Sequence, residues 1–254
     1  MKPLNPQIQQ WSDKKVWIVG ASSGIGHALA RELQQQGARL ILTARRTAPL
    51  QSLATEVDRV IAADVTDEES ILKAQQELKR NQEEIDMVIY CAGDYAPMRA
   101  WNIDCAQVEQ TLAVNLLGAY RVIASVVEKF MAKGQGHICL VSSVAGYTGL
   151  PKALAYGPSK AALSNLAQVL YTDLSDKGIG VTLVNPGFVD TRLTKQNDFE
   201  MPALLTSEQA AQEIVRGLQR GHFEIHFPKR FSCWMKLLSS LPDRLRFFFL
   251  KRVA

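Results

Sequence analysis

Short apolar runs alternate along the chain with longer segments whose apolar residues recur at helical spacing. The runs VWIVG (16–20), RLILTA (39–44), RVIAA (59–63), DMVIYCAG (86–93), HICLVSS (137–143), VTLVNPG (181–187) and FEIHF (223–227) are rich in β-branched and aromatic residues and predict about seven strands. Segments near 25–36, 67–80, 105–132, 157–176 and 207–220 predict the helices between them. Strands apolar throughout need cover on both faces, and strand–helix alternation supplies it. The pattern therefore predicts a doubly wound α/β fold, a parallel sheet with helices on each side. There is no internal repeat, no low-complexity stretch and no Pro-, Gly- or Ser-rich linker. One domain is expected over 1–254, with a core from about 14 to 227 and a helical tail over 228–254.

The turn after the first strand reads GASSGIG: Gly20, Ala21, Ser22, Ser23, Gly24, Ile25, Gly26. Glycines permit a tight turn and close approach of a pyrophosphate, while the helix that follows points free amides and its positive dipole end at the same place. Glycine turns also arise for steric reasons alone, so the strand–turn–helix order is what makes this a dinucleotide cradle. A cofactor with a free ribose 2′-hydroxyl calls for Asp or Glu at the end of the second strand. The chain has Arg45 and Arg46 there. Guanidiniums match a 2′-phosphate, so NADP(H) is expected; a solvated surface pair is the plain alternative. Farther on, YGPSK places Tyr156 and Lys160 four residues apart, on one face of a helix. Many helices carry that pair without chemistry.

Joined to ADVTD (63–67), CAG (91–93), Asn115 within VNLLGAY, VSSVAG (141–146) and NPGFVDT (185–191), in this order, these motifs make the chain resemble the short-chain dehydrogenase/reductase family in its single-domain form. The resemblance runs from about Lys14 to Phe227. It implies a Rossmann-like fold and an oxidoreductase that interconverts a carbonyl and an alcohol by hydride transfer. It further implies that Tyr156 gives and takes the proton, Lys160 activates it, Ser143 holds the substrate oxygen and Asn115 belongs to the proton relay. Asp64 and Val65 would flank the adenine, Cys91, Ala92 and Gly93 would border the cofactor, and Pro186, Gly187, Val189 and Thr191 would line the nicotinamide. Homodimers or homotetramers are expected by the same resemblance. Physically, an oxyanion developing on a ketone needs a hydrogen-bond donor and then a proton. A lysine ammonium beside a phenol, with an oxidised nicotinamide, is expected to lower the phenol's pKa. Two departures stand out: Val19 replaces the usual Thr before the glycines, and Tyr90-Cys91 replaces Asn-Asn. The latter reads as a variation in sheet stability, or else Cys91 is a reactive thiol beside the nicotinamide.

Charge changes the picture only locally. The formal net charge is +4 over 254 residues. The stretch 228–254 holds seven basic residues against one acid, a surplus of six that leaves the rest two negative. That excludes a nucleic-acid footprint spread over the domain. The tail interleaves aromatic and aliphatic residues with Lys and Arg, as an interfacial membrane helix does, or as a helical pair packed on the cleft or a partner subunit would. From it follow two expectations: peripheral membrane contact, and an apolar or lipid-like substrate. No run reaches the roughly 18 apolar residues of a spanning helix and the N-terminal stretch is polar, so a cytoplasmic protein is expected. The four cysteines show no metal spacing and are expected to be buried, reduced thiols. Two rivals remain: a non-catalytic NADP(H) sensor or scaffold, which would not need Ser143, Tyr156 and Lys160 together, and an extended-branch epimerase or dehydratase, which would need a further C-terminal substrate domain.

Overall fold

The computed structural model describes residues 2–12, 14–196, 198–199 and 201–252. Asn197 and Glu200, in the expected substrate cover, and Val253 and Ala254, at the end of the tail, lie outside the described residues. All seven expected strands form: β1 (Lys15–Val19), β2 (Arg39–Ala44), β3 (Arg59–Ala62), β4 (Met87–Tyr90), β5 (Gly136–Val141), β6 (Ile179–Pro186) and β7 (Glu224–Phe227). They make one parallel sheet in the order β3-β2-β1-β4-β5-β6-β7. Winding reverses between β1 and β4. A crevice opens there at the carboxyl ends of the strands, where such sheets bind ligands.

Period-two alternation sorts each strand's side chains onto two cores. Trp17 and Val19 of β1 join the face covered by α3 (Glu68–Arg80), α5 (Gly118–Lys133) and α6 (Tyr156–Leu174). Val16 and Ile18 join the face covered by α1 (Gly24–Gln35) and α7 (Ser207–Gln219). Local chemistry fixes the helix ends. Asp67 caps α3 through the Glu69 amide, with acids in the first turn and Lys79 and Arg80 in the last; Thr206 and Gln209 form a capping box on α7. A short α2 (Ala48–Gln51) was not expected from the sequence.

The expected helix over 105–132 runs from Cys105 to Lys133 as α4 (Cys105–Leu112), a π turn (Ala113–Leu117) and α5. It is long and apolar enough to cross a membrane by length and composition. Val122, Ile123, Val126 and Phe130 are nevertheless buried in the sheet core, which makes it a core helix.

The tail forms α8 (Lys229–Ser240) and α9 (Asp243–Leu250). Met235, Leu238 and Leu250 pack on Val144, Tyr147 and Leu150, the segment just after β5. Lys236 pairs with Glu224, whose carboxylate also accepts from Tyr147 Oη and, at 2.8 Å, from Asn185 Nδ2. Burial works to raise the Glu224 pKa, and these partners outweigh it and hold the group low. One side of the tail is therefore fastened to the body of the protein.

Candidate active site

The ends of six strands, β1 to β6, and two helix starts converge on the crevice. In the turn after β1, Gly20 has φ +95°, and a Cβ there would sit 2.5 Å from the Ala92 amide nitrogen. Only glycine lets this turn lie against the chain leaving β4. Ser23 stands at the N-cap of α1 in extended conformation with no side-chain capping bond, and the first turn carries no acid. The helix start is thus open to an anion. Thr191 lies against Gly24, so the loop after β6 closes on the same turn.

Arg45 and Arg46 follow β2 directly, are exposed, and have no carboxylate partner among the described residues. Asp64 anchors its own turn, accepting from the Thr66 amide at 2.9 Å and hydroxyl at 2.7 Å. Val65 is buried, and its carbonyl accepts from Arg121 at 3.1 Å. Beyond β6, the Gly187 amide donates to the Phe227 carbonyl at 2.7 Å, Val189 is buried, and its carbonyl accepts from Thr194 at 2.6 Å. Pro186, Gly187, Val189 and Thr191 thereby form a braced loop across the crevice from the glycine turn. These donors and glycines fit a nicotinamide dinucleotide.

The reacting side chains come from three elements. Ser143 caps a short helical turn after β5, its Oγ accepting from the Ala145 amide at 3.1 Å. Tyr156 is the first residue of α6, with Pro158 in the first turn, where its missing N–H costs nothing. Burial raises the Tyr156 phenol to about 12, and the hydrogen bond from Ser143 works against that rise. Lys160 is buried; its Nζ donates to the Val141 carbonyl at 2.9 Å and lies 5.6 Å from the Tyr156 ring centroid. Burial lowers its pKa to about 8. The sequence led us to expect Lys160 to lower the phenol's pKa. The ammonium lies over the ring and bonds a backbone carbonyl, and burial is the largest influence on each group; the expected lowering belongs to the state with an oxidised nicotinamide alongside.

Asn115 is in the π turn, the helical irregularity that often marks a functional position. Its Oδ1 accepts from the Asp94 amide at 2.7 Å, while Nδ2 donates to the Asp94 carbonyl and to Ser159 Oγ, both at 2.9 Å. Both amide protons are engaged, so Asn115 clamps the loop after β4 to the start of α6. Tyr90 supports that turn from below: it is buried, and its hydroxyl donates to the Val114 carbonyl. Gly118 leaves the room, since a Cβ there would collide with Tyr90 Oη. The Tyr90 substitution is thus a specific brace under Asn115.

Cys91 is half-buried, and its surroundings disfavour the reactive-thiol alternative. Burial pushes its sulfhydryl up to about 12, leaving negligible thiolate near neutrality. Cys139 is buried, but Cys105, opening α4, and Cys233, on the outer side of α8, are exposed, contrary to the expectation for all four. Ala92 and Gly93 are half-buried, with the Ala92 backbone against the Gly20 turn. Two participants escaped the sequence reading. Ser159 links Asn115 to the Tyr156 carbonyl, to which it donates at 2.7 Å, and Tyr95 packs edge-on against the Tyr156 ring at 5.1 Å. The YGPSK register contains Ser159; nothing local announces Tyr95.

The short chain dehydrogenase family profile matches residues 14–201. This chain belongs to that family. An uncharacterized oxidoreductase of Myxococcus xanthus is 31% identical over 244 residues, covering 94% of this chain and 96% of the relative. A short-chain dehydrogenase from Sphingobium yanoikuyae, solved in complex with NADPH, superposes with a TM-score of 0.78 at 25% identity, covering 91% of this chain and 97% of that one. A short-chain dehydrogenase from Streptomyces avermitilis has the same fold, with a TM-score of 0.81 at 24% identity and coverage of 94% and 97%. The chain is therefore an oxidoreductase of the short-chain dehydrogenase type, and its family uses a nicotinamide cofactor.

Proposed function

We propose that this short-chain dehydrogenase uses NADP(H) to reduce an apolar carbonyl compound to an alcohol, with Ser143, Tyr156, Lys160 and Asn115 as its reacting and supporting groups. The observation that carries the reading is that Ser143 and Tyr156 come together beside a buried Lys160, whose Nζ lies 5.6 Å from the Tyr156 ring centroid, in a crevice bordered by the glycine turn. A protein that only senses the cofactor has no need of that pair. Bound in the cradle, the cofactor supplies the hydride. Ser143 Oγ donates to the substrate oxygen and fixes the carbonyl, which is worth most as negative charge develops there. The Tyr156 phenol stays protonated near neutrality, and a developing alkoxide is the stronger base, so the proton passes from Oη to the product. Lys160 keeps a positive charge over the ring face and holds its position through the Val141 carbonyl. Asn115 keeps Tyr156 in place through Ser159.

NADP over NAD is supported by Arg45 and Arg46 and by the NADPH bound to the Sphingobium relative. An apolar substrate is supported by the rings beyond Gly187: Phe188 meets Phe199 at 5.7 Å and Phe231 at 5.4 Å. Exposed Leu117, Tyr120 and Val169 on the long helices support the dimer or tetramer reading. The test is NADPH consumption against aldehydes and ketones graded from short and polar to long-chain and polycyclic. Turnover rising with apolar bulk fits the reading; turnover confined to short polar carbonyls removes the substrate class, and none with any carbonyl removes the reductive direction.

A further inference from the structure

The helices α8 and α9 have a second side that the body of the protein does not cover. While Ser232, Met235 and Leu238 turn inward, Arg230, Cys233, Trp234 and Leu237 form the outward stripe of α8, and Trp234 and Leu237 are 49% and 63% exposed. On α9, Leu245, Phe247, Phe248 and Phe249 are also exposed. Trp234 packs edge-on against Phe249 at 6.2 Å, and Phe249 against Phe248 at 5.5 Å, so the two helices present one continuous aromatic surface. Bulky side chains left in water at this density mark a docking face.

The charges say what docks. Lys229, Arg230, Arg244, Lys251 and Arg252 have no carboxylate partner among the described residues, whereas Lys236 and Arg246 are paired with Glu224 and Asp243. Arg252 lies 4.0 Å over the Phe248 ring, which places a cation directly on the apolar surface. A second copy of the chain meeting this face across a two-fold axis would bring the same unpaired cations together. An anionic lipid surface instead accepts aromatic bulk and neutralises the cations around it.

We propose that the outward face of α8 and α9 docks on an anionic lipid bilayer, with Trp234, Leu237, Phe248 and Phe249 entering the headgroup boundary and Lys229, Arg230, Arg244, Lys251 and Arg252 meeting acidic headgroups. The inward face of the same helices packs on residues 144–150, and Phe231 stacks on Phe188 beside Gly187. Docking would therefore set the crevice one helix away from lipid. The surface stands apart from the redox reading, because its test reads no turnover.

The experiment is co-sedimentation of the full chain with phosphatidylcholine vesicles containing phosphatidylglycerol, and with phosphatidylcholine alone, at low and high salt. Binding to the anionic vesicles alone, weakened by salt, is expected. Charge variant Arg230→Gln/Arg244→Gln/Lys251→Gln should lower partitioning about fivefold per cation removed. Apolar variant Leu237→Ser/Phe248→Ser should also lose binding; because it risks the fold, its melting curve is taken, and the charge variant carries the test if it melts early. No sedimentation at low salt, equal binding to both vesicles, or unchanged binding by the charge variant overturns the proposal. So does a concentration-dependent dimer that the Leu237→Ser/Phe248→Ser change dissociates, since this face would then be an interface between copies.

Discussion

Tyr90→Phe removes one hydroxyl and nothing else from the base of the site. That hydroxyl donates to the Val114 carbonyl in the π turn, one residue before Asn115. Burial pushes the Tyr90 phenol far above its ordinary range, so it remains a proton donor throughout the working range of pH. Loss of a buried neutral hydrogen bond costs about 1–2 kcal/mol, because the carbonyl loses a donor that water does not replace. For a chain of this size that is a fall in melting temperature of roughly 2–8 °C. If the whole effect falls on the geometry of Asn115 and the groups it clamps, kcat drops about 5- to 30-fold with KM little changed. The assay is a thermal melt beside steady-state NADPH oxidation. A double-mutant cycle with Gly118→Ala adds a second check, since its Cβ would strike Tyr90 Oη and the two changes should couple. Tyr90→Phe melting within a degree of the parent, with full kcat, would mean that the residue only fills space.

Arg45→Ala/Arg46→Ala should weaken NADPH binding about tenfold or more and leave NADH binding unchanged, measured by fluorescence titration; equal loss of both cofactors removes the 2′-phosphate role. His137 is buried against Thr182 Oγ1 at 2.9 Å, and burial lowers its pKa to about 4. A histidine kept neutral by the fold stabilises it above pH 6.5, its unfolded value, and that contribution is lost as pH falls from 6.5 through 4, for roughly 3 kcal/mol in all. Urea midpoints should therefore fall less steeply with acid in His137→Asn than in the parent. Thiol labelling of the native protein near neutrality should modify Cys105 and Cys233 well before Cys91; prompt labelling of Cys91 would contradict the raised pKa of its thiol.

The strands were legible because the central ones are apolar on both faces, and the parallel sheet because helices alternate with them; the strand order was not. Gly20, Tyr156 and Lys160 were legible because their spacing is local to a turn and one helix; Ser143 came from the resemblance to the family. The π turn was not: TLAVNLLGAY reads as unbroken helix, and what holds the turn open is a hydroxyl on another strand and an amide bonded across 21 residues. Nor was burial of the Tyr156 phenol legible, since it is a property of the packed crevice and no local spacing announces it. In the tail, composition showed aromatic and basic residues but could not divide them. Folding assigns Met235 and Leu238 to the body and leaves Trp234 and Leu237 outside.

The central claim is that Tyr156 delivers the proton in a carbonyl reduction driven by a bound nicotinamide cofactor. Its most direct test compares parent and Tyr156→Phe for NADPH binding and for carbonyl-dependent NADPH oxidation in the same preparation. The account predicts binding unchanged and turnover reduced at least about 100-fold. Turnover that survives in Tyr156→Phe would contradict it.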